Sequence, residues 1–125
     1  MTTSPTGHAT KDAILALAGT LQIERVEIIG LDAPIFLRAL SAKERDSFEA
    51  SCMAGRGKSR NLNMENVRAR LLVRSICDEQ GTRLFADHDA DALGGVPAAV
   101  IDRLFNRAQV LSGLSQGDVE ELAGN

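Results

Sequence analysis

From Pro97 to Gly113 the apolar side chains keep one helical spacing, with Ile101, Leu104, Phe105, Ala108 and Leu111 at i, i+3, i+4, i+7 and i+10. That spacing lines one face of an α-helix and leaves the opposite face to charged and polar residues. Pro97 suits the first helical position and Gly113 a stop. Such a stripe has to be buried against other elements, so the rest of the chain must supply them. Met64, Val67 and Leu71, with Leu72 and Ile76 beside them, predict a second broad stripe in a helix from about Asn63 to Cys77. Ser41 and Glu44 form a capping box that starts a third helix, running to about Met53 with Phe48 and Cys52 on one face. Thr10 caps a short helix carrying Ile14, Leu15 and Leu17, ended by Gly19. Asp87 caps a brief helix that stops at Gly94–Gly95, and Gln116 to Leu122 form a last short one.

The period changes only near the N-terminus. Gln22 to Ile29 is partly alternating and β-branched, Gly30, Asp32 and Pro34 carry turn chemistry, and Ile35 to Leu40 is a second extended stretch. These predict a β-hairpin at about 22–40, and an isolated hairpin needs a helical surface to pack on. Asp78 to Gly81 predicts a turn and Thr82 to Phe85 a short extended piece. The expected fold is α+β and mainly α, a small N-terminal hairpin on a bundle of about four helices. Residues 1–9 are expected to form a flexible tail and residues 10–125 a single domain, which 125 residues can fill with one core.

Charge is uneven. Residues 1–55 hold five basic and seven acidic groups, residues 56–74 six basic and one acidic, and residues 75–125 three basic and nine acidic. The basic middle can pair internally, with a second copy, or with an acidic partner. An overall pI near 5.3 and only four aromatic residues, all Phe, weigh against a DNA reader or a base-stacking platform.

Four motifs stop short of chemistry. Gly55-Arg56-Gly57-Lys58-Ser59 lacks the earlier glycine of a phosphate loop, whose place is taken by Cys52, and it follows a helix rather than a strand. Asp87, Asp89 and Asp91 match the first calcium-loop ligands, but Ala92 and Ala98 stand where the turn glycine and the bidentate Glu belong. His8, His88, Cys52 and Cys77 do not have zinc spacing, and the two thiols are expected to be buried in a reducing compartment. No nucleophile elbow or triad can be assembled, so neither an enzyme, a cofactor nor a metal is expected. No apolar run approaches the ~20 residues of a membrane span, and Met1 to Ala9 lack the features of a secretory leader.

Three stretches in order resemble the tail assembly chaperones of long-tailed, siphovirus-type bacteriophages. They are Leu40 to Glu49 (LSAKERDSFE), Arg68 to Phe85 (RARLLVRSICDEQGTRLF), and Ile101 to Phe105 (IDRLF) leading to Leu111–Leu114 (LSGL) and Asp118–Leu122 (DVEEL). The resemblance covers about residues 22–122. It implies a small helical, non-enzymatic factor that binds the tape measure protein, keeps it soluble and helps recruit tail tube protein. It also implies work in the bacterial host cytoplasm, absence from the mature virion and, in many relatives, a longer frameshifted form. The apolar stripes are expected to serve mainly as core, which makes the basic loop residues Arg56, Lys58 and Arg60, together with the C-terminal tail, the expected partner-binding surface. The alternatives are a structural virion component, such as a connector or minor tail protein, and a small nucleic-acid-binding regulator.

Overall fold

The computed structural model describes residues 7–54 and 61–114. The elements in chain order are α1 (Lys11–Ala16), β1 (Ile23–Val26), β2 (Ile35–Arg38), α2 (Ala42–Ser51), β3 (Met53–Ala54), β4 (Asn61–Leu62), α3 (Val67–Ser75), β5 (Ile76–Cys77), α4 (Ala90–Leu93) and α5 (Ala98–Leu111). The fold is α+β and mainly α. Short 3-10 turns follow α1 at Leu17–Thr20 and precede α4 at Asp87–Asp89.

The expected hairpin is present, with Ile23 opposite Arg38 and Val26 opposite Ile35 in an antiparallel register. It belongs to a larger sheet. β5 pairs antiparallel with β2, Leu37 opposite Ile76, giving the strand order β1-β2-β5. The helical stripe that includes Ile76 therefore ends one residue early. Ile76 is still buried, but from a strand, because its backbone satisfies the second edge of β2. Ser75 marks the change of direction: its buried hydroxyl donates to the Arg38 carbonyl at 2.8 Å and ties the end of α3 to β2. Thr82 to Phe85 makes one bridge to this edge, Cys77 opposite Arg83, rather than a strand.

Other boundaries move for local reasons. α3 starts at Val67 rather than near Asn63, since the Asn63 side chain accepts from the Glu65 amide at 3.1 Å and Asn66 takes a left-handed φ of 55°. α2 keeps its capping box, with Ser41 and Glu44 each accepting from the other's backbone amide, but ends at Ser51. Met53–Ala54 then pairs with Asn61–Leu62 in a separate two-stranded ribbon. Pro97 is the residue before α5, not its first, and its carbonyl accepts from Val100 and Ile101. Asp87 does not cap; the Asp89 carboxylate accepts from the Ala86 amide at 2.8 Å. Thr10 caps α1 as expected, although α1 buries nothing, and a 3-10 turn carries the chain past Gly19 to Thr20. The helix expected at 116–122 lies outside the described residues.

α3 runs through the centre. It packs on α2, α4 and α5, and Ala69, Leu71, Leu72, Val73, Arg74 and Ser75 are all buried. α5 packs its stripe of Ile101, Leu104, Phe105 and Ala108 on α3 and on the sheet. Phe48 from α2 and Cys52 just beyond its end, with Leu37 from β2, complete the core. Both cysteines are free and buried, and burial raises the pKa of the Cys77 thiol.

Candidate functional site

Arg56, Lys58 and Arg60 lie outside the described residues. The other three members of the basic block do not form a free basic surface. Arg68 pairs with Asp102 of α5 at 3.1 Å and lies 5.5 Å from the Phe105 ring centroid. Arg70 donates to the Ser51, Asn63 and Glu65 carbonyls at 2.6, 2.5 and 2.8 Å, joining the start of α3 to the end of α2. Arg74 is only 5% exposed, and donates to the Arg70 carbonyl and the Ser47 hydroxyl. Asp87, 3.4 Å away, partly offsets the desolvation that lowers the Arg74 pKa. Internal pairing, one of the three outcomes open from sequence, therefore holds for Arg68 and Arg74, while the Arg70 guanidinium is taken up by backbone carbonyls. Their positive charge locks helices together.

The three calcium-like aspartates also separate by role. Asp87 pairs with Arg83 at 2.8 Å, Asp89 caps the turn before α4, and Asp91 is exposed. Among the described residues no three His, Cys, Asp or Glu side chains converge as a metal site would require. No helix among them is long and apolar enough to cross a membrane.

The notable concavity is apolar. A trough of about 400 Å³ opens between the segment after β1 and the N-terminal half of α5. Ile76, Leu93, Ile101 and Leu104 form its buried floor. Ile29, Leu31 and Leu84 stand on its rim, with Ile29 fully exposed and Leu31 and Leu84 more than half exposed. Gly30, at a φ of 100°, lets the chain turn back so that Ile28, Ile29 and Leu31 all reach the trough. Two further depressions adjoin it along α5, the first sharing Ile28, Ile29 and Val100 with the trough and reaching Ala99 and Arg103, the second running from Arg103 to Asn106 and Arg107. At that end Arg107 and Glu24 make a bidentate ion pair, at 2.7 and 2.8 Å, which holds Glu24 below its usual carboxylate range. Sequence periodicity did not single out this site, because the trough appears only when residues 28–31, 84–85 and 93–104 come together. The Ile28-Ile29 pair beside a turn glycine is the signal the sequence does hold.

A concave apolar surface with exposed aliphatic residues can receive an apolar protein segment and has no group arranged for bond chemistry. A family model described as phage tail assembly chaperone matches residues 9–124. The chain belongs to the phage tail assembly chaperone family, whose role is in building the viral tail. No curated protein matches it. Among solved structures, the tail assembly chaperone of bacteriophage HK97 is similar in fold, with a TM-score of 0.56 and 15% identity. That likeness covers 81% of this chain and 98% of the other.

Proposed function

We propose that this chain binds the tape measure protein before the tail forms, keeps it soluble and helps bring tail tube subunits to it. It does so in the host cytoplasm as a non-enzymatic factor, and leaves before the virion is complete. The observation that carries this reading is the family match across residues 9–124. The exposed aliphatic trough supports it, since a long helical partner with apolar stripes needs such a surface until it is enclosed. Arg56, Lys58 and Arg60 add a charged contact to the same partner.

Co-expression tests the reading. The tape measure protein should become soluble only with this chain, and the two should co-elute on size exclusion. Unchanged solubility and separate elution would refute it, and recovery of the chain in purified particles would favour a structural virion component instead. Replacing Arg56, Lys58 and Arg60 together by Glu should weaken capture without unfolding the protein. Undiminished capture would remove that loop from the interface.

A further inference from the structure

We propose that the trough seats one amphipathic α-helix of the partner, about three turns long, carrying a carboxylate where it passes Arg103. This rests on the function proposed above and assigns it a surface.

Length is the first argument. The trough and the two depressions adjoining it follow α5 from Pro97 to Arg107, about 15 Å at the helical rise of 1.5 Å per residue, which is close to three turns. Backbone chemistry is the second. Around the apolar end nearly all of the lining is aliphatic and aromatic side chains, Gly30 being the one residue that offers main chain alone, and the α5 amides and carbonyls already bond within the helix. An extended occupant would leave most of its own backbone groups dry and unpaired there, whereas a helix satisfies them internally. Charge is the third. Along the polar end Arg25 pairs with Glu27 and Arg107 with Glu24. Arg103 lines both stretches of that end and has no ion-pair or hydrogen-bond partner among the described residues. The cation left over on an otherwise compensated wall calls for an acidic group on the occupant. At the other end the exposed Ile29 and Leu31 meet the occupant's apolar stripe.

The test uses the full chain and, as probes, the tape measure protein and overlapping 20-residue peptides drawn from it, with binding read by fluorescence anisotropy. Peptides with an apolar i, i+3, i+7 stripe and a nearby acid should bind. Ile29→Glu and Arg103→Glu change exposed side chains, so both variants should stay folded, and each should weaken binding at least tenfold. The Arg103→Glu loss should shrink at high salt and be reversed by exchanging the peptide's acid for Lys. Leu17→Ser, at an exposed site that lines none of these depressions, should bind as the wild type does. If the wild type captures the tape measure protein and both trough variants capture it equally well, the trough assignment is wrong while the function stands. Capture lost through Leu15→Ser on α1 alone would overturn the assignment in the same way. If Ile29→Glu instead changes only the size of the chain's own assemblies, the occupant is a second copy and the proposal fails. Failure of the wild type to capture the tape measure protein would overturn the function itself.

Discussion

Replacing Asp87 by Asn should destabilise the protein chiefly because Arg74 is buried, and a double-mutant cycle can isolate that effect. Arg74 is 5% exposed and lies 3.4 Å from the Asp87 carboxylate. Two unit charges at that distance attract by roughly 5 kcal/mol at an effective dielectric of 20 and by roughly 1 kcal/mol in water. The Asp87 side chain is 54% exposed, so water screens the pair and the net value falls near the lower figure, about 1–2 kcal/mol. Asp87→Asn keeps the shape and a hydrogen-bonding oxygen for Arg83, leaving loss of charge as the main change. In an Arg74→Met background the same substitution should cost about 1 kcal/mol less, because the buried cation is gone. Urea denaturation of the four proteins gives the coupling energy, read from midpoints at constant m-value. The acid range gives a second check. The Arg83 hydrogen bond and the two nearby arginines lower the Asp87 pKa below its ordinary value of 3.8. Its contribution is thus fully present above that value and lost as pH falls through the lower folded-state value, while arginine stays charged throughout. The difference between wild type and Asp87→Asn should therefore close below pH 3.8. A coupling energy of zero, or a difference that persists at the lowest pH, would refute the reasoning.

Four further outcomes are expected. Glu24 should titrate below 4.5 by NMR because Arg107 hydrogen-bonds its ionised form, so its stabilisation is present above 4.5 and lost as pH falls through the lower folded value; Arg107→Ala should return the midpoint toward 4.5. Leu104→Ala, at a site 2% exposed, should cost about 2–5 kcal/mol in chemical denaturation. Leu84→Ala, at a site 61% exposed, should stay within about 0.5 kcal/mol of wild type, and a large loss there would mean that Leu84 is covered. Gly94→Ala places a Cβ 2.5 Å from the Asn66 Oδ1, whose amide nitrogen donates to the Ala90 carbonyl at 2.7 Å. Despite a helix-propensity gain of up to about 1 kcal/mol, the variant should be destabilised by about 1 kcal/mol, and the loss should disappear when Asn66 is replaced by Gly.

Features set by neighbours along the chain were legible in the sequence. The Ser41–Glu44 capping box, the Thr10 cap, the β1–β2 hairpin and the α5 stripe all depend on side chains within about four residues of one another or on a turn between two short strands. The three spaced stretches carried the family as well. Other features were decided by groups distant in sequence. Ile76 has helical spacing with Leu72, yet leaves the helix because β2 offers an unpaired edge nearly forty residues away. Arg70 and Arg74 belong to a basic run in the sequence, yet one holds carbonyls of three other residues and the other is buried beside Asp87. Their charge pattern along the chain is the same whether they face water or the core. The trough has the same origin: Ile29, Leu84 and Val100 become neighbours only after the sheet and α5 have packed, since a concave surface is a relation between elements and no periodicity within one of them encodes it.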